Sequence, residues 1–256
     1  MGGSLTAIDS AATLSAVPRP PTIRGALRAA ASDLYYHSIR LVPVNIVFAL
    51  GVLVVLVVWT SAGPLVGLLA GSVLSVPIAG LARLAALATR GQDVNLSDAL
   101  DPLRERPLAT LGAGGAIVGA SAVLGTNLIV GLLTANVVGF ALATLAFWGM
   151  LTVAATSLAF WPLLVDPQRA DRGALQAARL AALLVVAHPV RSGVLTVLLS
   201  VILILSVVLF AAFLTIGMAF VQSVACHYVL PAADRLEYRL NPASAAGTLA
   251  TPTADE

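Results

Sequence analysis

Lysine is missing from this 256-residue sequence and charge of any kind is scarce: fourteen Arg and twelve acidic residues make up 10% of the chain. An ordinary soluble domain carries about 25% charged and about 45–50% apolar residues. Here 59% of the residues are apolar and the mean hydropathy is +0.98. Spread over the whole length, that excess excludes a soluble domain with one anchor and points to an integral membrane protein. The net charge of +2 is small and dispersed, which excludes the basic patch that nucleic-acid binding needs. The all-Arg usage reads as genome composition bias. The single cysteine, Cys226, excludes an intramolecular disulfide and any multi-cysteine metal site. Its neighbour His227 does not rescue a metal site: adjacent residues on a helix point about 100° apart, and no third ligand is evident. No metal or cofactor is expected.

The N-terminal region also lacks an apolar segment of the signal-peptide kind. Met1 to Pro21 is rich in Gly, Ser, Ala and Pro and ends in "PRPP". Residues 1–30 read as a disordered arm, 31–239 as one transmembrane helical domain and 240–256 as a disordered tail. Insertion is expected to use the first span.

What the sequence has is long uncharged runs. About 20 apolar residues cross about 30 Å of hydrocarbon as a helix. Leu41 to Thr60 does so once, Leu65 to Thr89 again after "SAGP", then Leu108 to Leu133, and Val137 to Val165 after "TAN". Ser192 to Leu230 is uncharged for 39 residues, about 58 Å as one helix, so it is expected to cross twice. The turn is placed near "LTIGM", Leu214 to Met218, at Gly217. Six spans put all fourteen Arg on one side and leave the three turns on the other side uncharged. By the positive-inside rule both termini are then cytoplasmic. A five-span alternative would place Arg235 and Arg239 outside. The expected fold is an all-α polytopic bundle of three helical hairpins.

Two polar cassettes join the hairpins. In the first, "RLAALATRGQDVNLSDALDPLRERP", Asn95 and Asp98 have capping-box spacing, Leu96, Ala99, Leu100 and Leu103 share one face, and Pro102 suits a first helical position. In the second, Asp171 is expected to cap a helix. Arg172, Gln176 and Arg179 recur on one face of it, Leu175, Ala178, Ala182 and Val186 on the other. His188 and Pro189 end it. Both read as amphipathic helices lying in the cytoplasmic interface. They orient the hairpins, or they dock a partner through Arg104, Arg106, Arg172 and Arg179. Catalysis is the weakest reading: carboxylates alternate with Arg, and an enzyme would need groups such as Asp93, Asp98 and His188 to meet in one cavity.

No ionisable residue lies deep in a span, which argues against proton or ion coupling. The polar groups there are amides and hydroxyls. Asn45, Asn127 and Gln222, with Trp148 as an aromatic plate, are the candidates for contacting an uncharged solute; helix-to-helix hydrogen bonding is the alternative. Gly67, Gly71, Ser75 and Ala79 recur every four residues, as do Gly115 and Gly119, and such stripes let helices approach closely. Packing within one chain is preferred to dimerisation for them. Trp59 at one edge, and Tyr35, Tyr36, Trp161 and Tyr228 at the other, suit interfacial belts.

Three segments, "DLYYHSIRLVPVN", "VPIAGLARLAALATRGQDVNLSDAL" and "GALQAARLAALLVVAHPVRSGVL", give the chain a pattern that resembles the YesL-like family of bacterial membrane proteins from about Arg28 to Arg239. The family often has aromatics in the first cassette, where this chain has Leu100 and Leu103. The resemblance implies about six spans, location in the bacterial plasma membrane, and association with carbohydrate import by ABC-type systems. It implies no catalytic residues. The expected function is therefore a non-enzymatic accessory of carbohydrate uptake, with membrane lipid and ABC importer subunits as partners. The alternative is binding or transport of a small uncharged solute.

Overall fold

A computed structural model of the chain describes residues 22–134 and 136–240. Among the described residues six helices are long and apolar enough to cross a membrane: α2 (Ser38–Ala62), α3 (Pro64–Thr89), α4 (Pro107–Leu133), α5 (Val137–Val165), α7 (Pro189–Val208) and α8 (Phe210–Leu240). Before them lies α1 (Ile23–Tyr36), and between α5 and α7 lies α6 (Ala174–Ala187). The described chain is an all-α polytopic helix bundle. Residues 1–21 and 241–256 of the expected arm and tail lie outside the described residues. Residues 23–30, assigned above to the arm, are helical: Thr22 accepts the Gly25 N–H through its hydroxyl at 3.1 Å, which starts α1, and Ala26 and Ala30 are buried.

Each hairpin turns without charge. Gly63, at φ +91°, reverses the chain between α2 and α3, a backbone conformation that costs glycine nothing. Asn136 accepts the Gly139 N–H at 2.7 Å and starts α5. The third reversal is at Leu209 (φ −90°, ψ 73°) and not at Gly217. Gly217 instead lies inside α8, where a Cβ would come within 3.3 Å of the Ser206 Cβ on α7. Its missing side chain lets the two helices of that hairpin press together.

The helix α8 is the axis of the bundle. In its most apolar stretch 72% of the residues are buried, against 6% for α4. It packs on α1, α2, α3 and α5. At 31 residues it is about 46 Å long, so roughly its last ten residues extend past a hydrocarbon core of about 30 Å. Helix α3 is irregular at Leu74, three residues before Pro77, whose absent N–H leaves the Val73 carbonyl without its helical donor.

The small-residue stripe of α3 is a packing surface. A Cβ on Gly67 would fall 2.6 Å from the Trp59 ring of α2, one on Gly71 3.3 Å from Val118 of α4, and Ser75 is buried against Gly114. On α4 the stripe is shifted. Gly115 has only Ser72 near it, at 3.8 Å, and Gly119 faces open space; Gly114 and Gly131 make the close approaches, Gly131 against Gly139 and Ala143 of α5. The aromatic belts divide as well. Tyr35, Tyr36 and Trp59 are exposed, whereas Trp161 and Tyr228 are buried in the core.

The cassettes are packed onto the bundle. Cassette one is a 3-10 turn, Leu96–Leu100, followed by a short helix, Asp101–Glu105. The Asn95 N–H donates to the Asp98 carboxylate at 2.9 Å, closing the expected capping box. Ala99 sits against Gly80 of α3, and Val94 is fully buried. In cassette two Gly173, not Asp171, precedes α6. The face of α6 against α5 is Ala177, Leu180, Ala181 and Leu184; Leu175, Ala182 and Val186 point away from the bundle. The helix thus has two apolar faces, one on protein and one exposed.

Candidate functional site: the charged end of the bundle

The solute candidates do not converge. Asn45 is fully buried in α2, where its amide serves the backbone of α8. There the chain makes a π-helical turn, Phe213–Gly217, which widens the backbone and frees groups from the regular i to i−4 pattern. Asn45 Nδ2 donates to the Phe213 and Leu214 carbonyls at 2.8 and 2.9 Å, and its Oδ1 accepts the Ala219 N–H at 2.8 Å. Both donors and the acceptor are committed, so Asn45 is a helix clamp. Gln222 is also fully buried in α8, and its amide meets no hydrogen-bond partner among the described residues. Asn127 is half-buried, and Trp148 is 59% exposed, edge-on to Phe147, on the outer surface of α5. The larger recesses of the described surface are lined by other residues.

Chemistry gathers where α3, α5 and α8 emerge at their charged ends. Asp166, directly after α5, has a fully buried carboxylate. Its Oδ1 also accepts the Gln168 N–H at 3.2 Å. Arg90, directly after α3, donates to both oxygens of Asp166, Nε to Oδ1 at 3.2 Å and Nη2 to Oδ2 at 2.7 Å. The same guanidinium reaches Asp234 of α8, at 2.7 Å from Nη1 and 3.1 Å from Nη2. Arg169 joins Asp166, Asp234 (2.5 Å) and Glu237 (3.3 Å), and Arg172 pairs with Glu237. Three arginines thus meet three carboxylates in a closed, neutral cluster. Burial disfavours the charge on Arg90, but hydrogen bonds and the fields of Asp234 and Asp166 outweigh it and hold the guanidinium more firmly protonated than usual. Arg169 is held the same way by Asp234, Glu237 and Asp166. Arg forks suit such shared carboxylates because the planar donors engage two oxygens at once.

This cluster was not foreseen. Its six groups come from three distant segments: Arg90 from the end of α3, Asp166, Arg169 and Arg172 from the second cassette, and Asp234 and Glu237 from α8. The only local hint was Asp234 and Glu237, spaced three apart and hence on one face of α8.

The four docking arginines divide in two. Arg106 donates to the Arg172 and Ala170 carbonyls, tying cassette one to cassette two, and Arg172 is held by Glu237. Arg104 and Arg179 are exposed. Arg83, near the charged end of α3, donates to the Val165 carbonyl at 2.8 Å. Asp93 is exposed, Asp98 is spent in its capping box, and His188, directly after α6, is exposed and lines a recess that neither aspartate lines. Cys226 is buried with its thiol toward the Ala82 carbonyl, 3.6 Å away, while His227 turns to Asp33 of α1 at 2.7 Å. Among the described residues no three His, Cys, Asp or Glu side chains assemble as a metal site would need.

The fold and the charge cluster define a multi-pass membrane protein whose polar chemistry lies at one end of the bundle. No family model, curated protein or solved structure matches the chain; the YesL-like resemblance rests on the three quoted segments.

Proposed function

We propose that this protein is a non-enzymatic accessory of carbohydrate uptake through an ABC-type importer, acting in the bacterial plasma membrane with its charged end in the cytoplasm. The observation that supports this reading is the distribution of polar groups. Within the spans, the Asn45 amide is consumed by α8 and Trp148 faces outward, while at the charged end two arginines, Arg104 and Arg179, stay exposed on cassettes held rigid by Arg106 and the ion cluster. A surface fixed in this way is suited to docking another protein, because little order must be gained on binding. The carbohydrate assignment comes from the YesL-like resemblance. Uncharged outer turns and Arg-bearing inner segments support the orientation.

The test is affinity purification of the full chain from native membranes in a mild detergent. Permease or ATPase subunits of a sugar importer should co-purify, and Arg104→Glu with Arg179→Glu should reduce their recovery several-fold. Repeated recovery of the protein alone overturns the docking reading.

A further inference from the structure

We infer that a cleft beside the ion cluster is a binding site for a phosphate-bearing anion, seated as the headgroup of an anionic phospholipid. The cleft has a volume of about 510 Å³ and lies between the α6–α7 junction and the emerging end of α8. Arg191, at the start of α7, faces Arg235 and Arg239 across it, and His188 and Tyr228 complete the polar lining.

The placement follows from helical spacing. Tyr228, Ala232, Arg235, Leu236 and Arg239 recur at steps of three and four along α8 and make one face. Asp234 and Glu237 lie on another face, where Arg90, Arg169 and Arg172 bind them. The acids of α8 are therefore used up by the neutral cluster. The arginines of the cleft have no carboxylate within ion-pair distance among the described residues. The Arg235 Nε is shut off from solvent and meets no acceptor there. Three uncompensated guanidinium groups around one space call for an anion with several oxygens, and phosphate matches their paired donors. The first turn of α7, Pro189 to Arg191, also lines the cleft and adds the positive end of a 20-residue helix.

Volume and lining favour a lipid over a free ion. A single phosphate fills a small part of such a space. The remaining wall is apolar, from Ala187, Val190, Ala232 and Leu236. Val190 is 76% exposed at the mouth of a membrane span. A ligand with a charged head and a greasy stem fits both halves.

The experiment uses the full chain in a mild non-ionic detergent, with bound lipid counted by native mass spectrometry. The probes are phosphatidylglycerol, phosphatidylcholine and inorganic phosphate. Phosphatidylglycerol should bind at least about tenfold more tightly than phosphatidylcholine. Each arginine near an anionic lipid is worth roughly fivefold. The triple variant Arg191→Gln, Arg235→Gln, Arg239→Gln should therefore lose well over about tenfold, while Arg104→Gln with Arg179→Gln changes binding by less than about twofold. The triple Arg→Lys variant should keep most of the affinity. If the Gln triple does not fold, Arg239→Gln alone, at the exposed helix end, should lose about fivefold. Equal retention of the two lipids, or no loss in whichever Gln variant folds, overturns the site. Displacement of phosphatidylglycerol by inorganic phosphate at about 1 mM overturns the lipid assignment and gives the cleft to a soluble phosphate compound.

Discussion

Replacing Asn45 by Leu should loosen the bundle at its centre. Leu has the same branched side-chain skeleton with bulkier ends, so no cavity is created and, apart from slight overpacking, the loss is of hydrogen bonds. Three are removed, to the carbonyls of Phe213 and Leu214 and from the N–H of Ala219. Side-chain hydrogen bonds between membrane helices average about 0.6 kcal/mol, which gives a floor near 2 kcal/mol for three. That average includes groups able to find other partners. Here two of the three backbone groups, the Phe213 and Leu214 carbonyls, belong to a π-helical turn packed against α2 and the third, the Ala219 N–H, lies just after it; stranding a buried group costs about 1–3 kcal/mol. We expect a loss of about 3 kcal/mol, between these limits. The assay is equilibrium unfolding in mixed micelles, followed by tryptophan fluorescence. Asn127→Leu, at a half-buried site, is the control and should stay within about 0.5 kcal/mol. If Asn45→Leu also falls within about 0.5 kcal/mol of the parent, the clamp does not hold the turn and the account of Asn45 is refuted.

Asp166→Asn should cost about 3–5 kcal/mol in the same measurement, because it leaves Arg90 and Arg169 one carboxylate short in a buried cluster; a change below about 1 kcal/mol would mean water already enters there. Gly114→Ala should destabilise by about 1–3 kcal/mol through overlap with Ser75. Gly119→Ala, facing open space, should be neutral or gain up to about 1 kcal/mol from helix propensity; thermal unfolding of the pair in detergent distinguishes them. For orientation, Cys226 is removed and a cysteine placed at Leu209 or at Arg179. The first should label from outside intact cells and the second only after they are opened, and the reverse pattern would invert the topology.

The six crossings were legible because each is a long uncharged run, and hydropathy needs no knowledge of partners. The capping box of Asn95 and Asp98 was legible because its parts lie three residues apart. The third reversal was not. Its residue, Leu209, adopts a conformation open to any side chain, so no glycine or proline marks it, and Gly217 drew attention for a different physical reason, close helix contact. Asn45 could be read as a polar residue in a span, but its partners are 168 to 174 positions away. The ion cluster was hidden likewise: Arg90 and Asp234 are 144 positions apart, and charge pattern along one segment cannot reveal which segments meet. On α6 the apolar set read from the sequence, Leu175, Ala178, Ala182 and Val186, is largely not the set on protein: Ala177, Leu180, Ala181 and Leu184 are buried, a choice set by which helix lies alongside.

The central place of α8 bears on how the bundle is built during synthesis. The ribosome releases α2 to α7 first, and until α8 arrives they surround an axis that has not been made. Asn45 then has no π-turn to serve, and Arg90, Asp166 and Arg169 lack Asp234 and Glu237. The five earlier spans are thus an open shell with unmet polar groups, the kind of intermediate that invites a membrane chaperone or a quality-control protease. Arrival of one helix supplies the missing acceptors, donors and apolar surface together, so closure should be abrupt. Nascent chains stalled within α7 should be cut rapidly by added protease, and chains stalled after α8 has emerged should resist it.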